Sequence, residues 1–181
     1  TASHGFAADM PFHTWNDEDG PEAALDALLS AADAQNARQI VLDETMRADF
    51  AGLVQDTLLQ AGRQFTATTV GALRMRKDQQ EYETLKRNAL VADAAMRAAW
   101  DQMAAGMTET EVATLVRDSF REQGATPMFS IVGAGPNGAF PHHQTGDTVI
   151  KPGDAVVMDI GGGMAGYSSD MTRMAVVGKP P

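Results

Sequence analysis

Two aspartates near the end of the chain, Asp159 and Asp170, have the type and spacing to hold a cation. They flank Gly161-Gly162-Gly163-Met164-Ala165-Gly166, and strand-like runs lie on either side, Asp154 to Ile160 and Tyr167 to Arg173. Strand, glycine-rich connection and strand predict a hairpin. The two acids are equidistant from a turn centred between Met164 and Ala165, so a hairpin without a bulge makes them direct cross-strand neighbours, roughly 5 Å apart at Cβ. Carboxylates at that separation repel by roughly 3 kcal/mol at an effective dielectric of about 20. One takes up a proton, or a cation sits between them. Asp159 also interrupts an apolar run, which predicts a half-buried position where an unpaired charge is costly. Paired divalent metals, a known hydrolytic device, answer that cost. On spacing alone a second reading stands beside it: one Asp caps the glycine turn and the other pairs with Arg173.

His142 and His143 follow Pro141, a short way upstream. A histidine beside a metal pair ligates it or donates to the oxyanion formed during hydrolysis, while a loop histidine is otherwise simply solvated. Gly133, Gly135, Asn137 and Gly138 precede this pair and let the backbone run close to a ligand. The triple glycine is not a phosphate loop, because no Lys-Ser or Lys-Thr follows it and no helix is signalled.

The elements that position these residues fall into two groups. Up to about Gly20 there is no clear period, and His4 and His13 read as exposed loop residues. Pro21 suits the first position of a helix with Leu25, Leu28 and Leu29 as its buried stripe. Gln39 to Leu42 predicts a strand. Met46 to about Gln60 predicts a helix with Phe50, Leu53, Val54, Leu58 and Leu59 inward and Gly62 ending it. Gln64 to Thr69 predicts a second strand. This alternation is that of an α/β layer. The register changes near Leu73 to Lys77. Asp78-Gln79-Gln80-Glu81 is a capping box opening a helix to Gly106, with Tyr82, Leu85, Leu90, Ala94, Met96 and Trp100 at helical spacing. Thr108-Glu109-Thr110-Glu111 is a second box, before a helix with Val112, Leu115, Val116 and Phe120 on one face and Gly124 closing it. Short strands follow at Phe129 to Gly133, Ala155 to Ile160 and about Met171 to Val177, so this part is α+β.

The 181 residues suffice for one large domain or two small ones, and 44% of them are hydrophobic. A formal net charge of -10 argues against nucleic-acid binding, which needs clustered Lys and Arg. No run of eighteen apolar residues and no basic-then-apolar leader is present, so no membrane partner is expected. The sequence has no cysteine, which excludes disulfides and thiolate metal sites and fits a reducing cytoplasm. Any metal must sit on oxygen and imidazole. The first residue is Thr1, and Gly178-Lys179-Pro180-Pro181 closes directly on a strand pattern, so the chain reads as a piece of something longer.

Four blocks in order resemble the aminopeptidase P and prolidase family of Xaa-Pro metallopeptidases, the M24 family. They are Asn137-Gly138-Ala139-Phe140-Pro141-His142, Lys151-Pro152-Gly153-Asp154, Met158-Asp159-Ile160-Gly161 and Gly166-Tyr167-Ser168-Ser169-Asp170-Met171-Thr172-Arg173. The resemblance implies part of a creatinase-like N-terminal α/β domain over 1–73 and the first part of a pita-bread catalytic domain over 74–181, α+β as a whole. It puts Asp159 and Asp170 on two metal-binding aspartates and His142 on a histidine that contacts substrate near the scissile bond; His143 inherits nothing. Met174 departs from the threonine usual after the arginine. The implied cofactors are two divalent ions, commonly Mn, Co or Zn, and the implied reaction is hydrolysis of the peptide bond preceding proline.

The same resemblance implies a proline-containing dipeptide or longer peptide as substrate and a homodimer. The family completes its site with a histidine and two glutamates further downstream. The expectation is therefore that the segment alone is inactive and that its missing partner is the C-terminal half of the same protein. A non-catalytic pita-bread module that binds peptide or protein is the alternative. Retention of both aspartates and His142 speaks against it, and against a creatinase-like amidinohydrolase. A methionine aminopeptidase would not carry the upstream α/β piece.

Overall fold

The computed structural model describes residues 11–178, so His4 lies outside the described residues. The chain divides into two compact units, Thr1–Arg76 and Lys77–Pro181.

In the first unit, Pro21 precedes α1 (Glu22–Ala31), and β1 (Gln39–Leu42), α2 (Ala48–Thr57) and β2 (Gly62–Phe65) follow. β1 and β2 pair in parallel, Gln39 opposite Gly62 and Leu42 opposite Phe65, with α2 as the crossover that parallel strands require. The helix ends unaided at Leu58, and Gly62 instead opens the strand, where a Cβ would lie 2.5 Å from the Gln39 side chain. The second strand is thus shorter and earlier than its β-branched residues suggest. Glu44 accepts from the Thr66 hydroxyl and, at 2.7 Å, from the Ala67 amide, and this draws Thr66–Thr68 into a 3₁₀ turn that leads to α3 (Val70–Arg74). Leu42 and Leu58 are buried, but Leu28 and Leu59, expected inward, are exposed. His13 is half-buried rather than exposed, and its Nε2 has no hydrogen-bond partner among the described residues.

The second unit opens with α4 (Gln79–Gln102) and α5 (Glu109–Glu122), and both capping boxes form. Asp78 accepts from the Glu81 amide while Glu81 accepts from the Asp78 amide, each at 2.8 Å. Thr108 and Glu111 make the same exchange at 3.2 and 2.7 Å. Gly124 ends α5 at a φ of 75°, a left-handed cap that a side chain would strain. The buried stripe of α4 is Asn88, Val91, Ala92, Ala95, Met96 and Ala99, whereas Tyr82, Leu90 and Trp100 are exposed. Ala92, Ala95 and Ala99 make up half of this stripe, and of the bulky residues expected on it Met96 is buried.

β3 (Thr126–Ala134), β4 (Ala155–Met164) and β5 (Tyr167–Val176) form one antiparallel sheet in that order. Their even-numbered core residues, Val132, Val156, Met158 and Ile160, meet Val112, Val116, Phe120 and Met96 in a continuous core. Each such side chain contributes about 1.5–3 kcal/mol by leaving water. The triple glycine is not a turn but the last stretch of β4. A Cβ on Gly162 would stand 2.5 Å from the Phe120 ring, and one on Gly161 2.2 Å from the Phe129 ring. These glycines admit two aromatic rings against the strand, one on each face.

Candidate metal and substrate site

Alternation along β4 sends Val156, Met158 and Ile160 to the helices, so Asp159 stands on the opposite sheet face, half-buried. The turn is Ala165-Gly166, one residue later than symmetry of the acids suggests, because the glycines remain in the strand. The register therefore corrects the expected pairing: Asp159 is opposite Thr172, and Asp170 is opposite Gly161. The acids share a face as diagonal neighbours, roughly 7 Å apart by ordinary sheet geometry. Their repulsion falls to about 2 kcal/mol at an effective dielectric of about 20.

The surroundings of the two acids differ. Asp159 Oδ1 accepts from the Thr172 hydroxyl at 2.7 Å, and Ile131 of β3 flanks it on the other side. Asp170 is exposed and makes no hydrogen bond or ion pair among the described residues. Arg173 does not neutralise either acid; it donates to the Thr172 carbonyl at 2.8 Å. Nor does either acid cap the turn. Two unneutralised carboxylates on one face are donors that suit a hard divalent cation. Among the described residues, however, no group of three or more His, Asp or Glu could hold a metal.

A cavity of about 180 Å³ adjoins Asp159. Its floor is Ile131, Gly133, Val157, Asp159 and Thr172, and its wall is Asn137, Gly138, Phe140, Pro141 and His143. The wall follows β3 as a 3₁₀ turn, Gly135–Ala139. Gly138 would drive a Cβ to 2.9 Å from Val157, and Gly133 one to 3.0 Å from the Asn137 carbonyl. The close approach these glycines allow is thus of the loop to its own sheet, where the sequence suggested approach to a ligand. His142 is exposed and does not line the cavity; His143 does.

Glu109, legible in the sequence only as part of a capping box, holds this wall. It is wholly buried, and its Oε1 accepts from the Ala134 amide and Asn137 Nδ2, both at 2.8 Å. Its Oε2 accepts from His143 Nε2 at 2.8 Å and the Gly146 amide at 3.1 Å. Burial pushes its carboxyl up, but these four bonds together outweigh burial and hold it below the usual carboxylate value. A Glu next to an N-cap Thr is ordinarily a solvated first-turn acid, so no sequence signal separated it from Glu111.

Residues 83–181 match the sequence model of metallopeptidase family M24, and this chain belongs to that family. It is 32% identical over 171 residues to the probable dipeptidase PepE of Mycobacterium tuberculosis, across 92% of this chain and 44% of that protein. It is 38% identical over 110 residues to the Xaa-Pro dipeptidase of Pyrococcus furiosus, across 60% of this chain and 32% of the relative. Its fold superposes on the crystal structure of an X-Pro aminopeptidase from Thermotoga maritima with a TM-score of 0.76 at 27% identity, covering 89% of this chain and 45% of that one. The architecture is that of the pita-bread metallopeptidases, and the chain spans less than half the length of the curated relatives it matches. Among the described residues no helix is long and apolar enough to cross a membrane.

Proposed function

We propose that the protein carrying these residues is a cytoplasmic, homodimeric peptidase that hydrolyses the bond preceding proline with the help of two divalent metal ions. The observation that carries this is the diagonal pair Asp159 and Asp170 on one sheet face, unneutralised among the described residues, with Asp159 lining a cavity. The names of the relatives support the substrate class: one is an Xaa-Pro dipeptidase and another an X-Pro aminopeptidase.

Asp159 and Asp170 would hold the ions, with Thr172 fixing the orientation of Asp159. When bound, such ions supply Lewis acidity toward the scissile carbonyl and an activated water. His142, exposed between the wall residues Pro141 and His143, would donate to the oxygen on which charge develops. Phe140 and Pro141 give the cavity an apolar side that suits the proline ring and excludes water from it. Two carboxylates do not complete a dinuclear site, so the remaining ligands come from outside these residues and the segment alone is inactive.

The test is hydrolysis of Ala-Pro and of Ala-Pro-Ala by the whole protein loaded in turn with Mn, Co and Zn. Cleavage of the dipeptide alone marks a dipeptidase, and release of alanine from the tripeptide marks an aminopeptidase. Asp159→Asn and Asp170→Asn are each expected to abolish turnover and reduce bound metal. Full activity in either variant sinks the site assignment; peptide binding without hydrolysis under any metal would establish the binding-module reading. Residues 1–181 expressed alone should cleave neither peptide.

A further inference from the structure

Glu109 is a wholly buried charge whose four hydrogen-bond donors all lie on one stretch of chain, Ala134, Asn137, His143 and Gly146. The helix it belongs to does not require it. α5 is capped by Thr108 and Glu111, and its packing is done by Val112, Ala113, Val116 and Phe120. A buried carboxylate is costly unless fully paired, so its position is explained by what its partners share. They share the loop that walls the cavity and carries His142.

The rest of that loop is tied to the same end of α5. Asn137 Nδ2 also donates to Thr148 Oγ1 at 3.0 Å, and Thr110 donates to the Gly146 carbonyl through its amide at 3.0 Å and its hydroxyl at 2.9 Å. The Glu109 amide donates to the Thr148 carbonyl at 3.1 Å. The far side of the loop is pinned where Thr145 Oγ1 accepts from the Val132 amide at 2.8 Å. His142 by contrast makes no hydrogen bond among the described residues, so its placement is inherited from its neighbours. Next to it is His143, which lines the cavity and whose Nε2 clasps Glu109.

We propose that Glu109 is a positioning residue, which through His143 and Asn137 sets the loop so that His142 is presented at the sheet face bearing Asp159. The inference rests on the reading of His142 given under Proposed function. It assigns His143, to which the family resemblance gives no role, the part of a clasp between a buried anchor and a substrate contact. Glu109 itself touches no substrate and acts only through the loop.

The experiment uses the whole metal-loaded protein with Ala-Pro, and measures kcat, KM, bound metal and amide hydrogen exchange for E109Q, H143A, H143Q, H142A and the H142A/E109Q double variant. E109Q is expected to lower kcat 10- to 100-fold with KM and bound metal within about twofold of the parent. Exchange should quicken in 134–146 and stay unchanged in α4. H143A should behave in the same direction, and H143Q, whose amide can donate to Glu109 from nearly the same place, should recover most of the loss. In the H142A background, E109Q should add less than a twofold further loss, because the two residues act through one contact. Equal losses in both backgrounds, or unaltered exchange in 134–146, overturn the proposal while leaving the role of His142 intact. Undiminished turnover in H142A overturns that role and the proposal with it. Should E109Q fail to fold, the H143A and H143Q pair in both backgrounds gives the same decision.

Discussion

Thr172 donates its hydroxyl to Asp159 Oδ1 from the position directly opposite on β5, at 2.7 Å. One oxygen of the acid is thereby fixed while the other stays available, and the carboxylate plane is set before any cation arrives. Groups that orient a ligand in this way are commonly worth 10- to 100-fold in metal affinity. Thr172→Val, which keeps the shape and removes the donor, should weaken divalent metal binding to the whole protein by roughly 10-fold. Calorimetric titration with Mn and Co would show it, and an unchanged affinity would mean that Asp159 needs no such support.

The acid limb of stability should depend on Glu109. Burial pushes its carboxyl up, and the bonds from Ala134, Asn137, His143 and Gly146 outweigh this to hold it below the ordinary 4.5. On unfolding it returns toward 4.5, so as pH falls the unfolded chain takes up this proton first. Its contribution is complete above that value and is lost as pH drops through the lower folded value. Melting temperature should therefore fall below about pH 4.5 in the parent protein and fall less steeply in E109Q, even though E109Q is less stable at neutral pH. Parallel acid limbs would show that the charge of Glu109 contributes nothing.

Gly162 is a packing glycine. Alanine there would put its Cβ 2.5 Å from the buried ring of Phe120, which has no flexible end to move aside. Gly162→Ala should cost about 1–3 kcal/mol, the usual cost of overpacking. Urea unfolding followed by the far-UV signal measures it. A companion Phe120→Leu change that restores stability to Gly162→Ala would identify the ring as the cause.

Asp78 caps α4 by accepting from the Glu81 amide at 2.8 Å. Asp78→Ala should cost about 1 kcal/mol, and Asp78→Asn much less, because asparagine caps as well as aspartate does. The same pair of urea midpoints tests it, and equal losses for alanine and asparagine would show that the cap is not the cause.

How much of this was legible in the sequence varies with the physics involved. Both capping boxes were, because reciprocal bonds between residues three apart are a local matter. The half-buried setting of Asp159 was also legible, since the acid interrupts an apolar run. The register of the hairpin was not. Three glycines look like a turn until Phe120 and Phe129 are seen to fill the space they leave, and those rings arrive from distant parts of the chain. The buried face of α4 was legible at Met96 but not at Ala92, Ala95 and Ala99, which matter by being small. Glu109 was invisible because its partners lie 25 to 37 residues away along the chain.

The two-residue turn at Ala165-Gly166 has positive φ at both positions, 53° and 80°, the pairing that suits the natural twist of a hairpin. Side chains on a strand alternate, so a single residue inserted there and absorbed by β5 would carry Asp170 to the helix face, away from Asp159. Asparagine or glycine could replace Ala165 without moving either acid, since both accept that backbone. The chain can thus vary, among residues that accept a left-handed backbone, in what it places at this tip but not in how much: the separation of the two acids is stored as a number of residues.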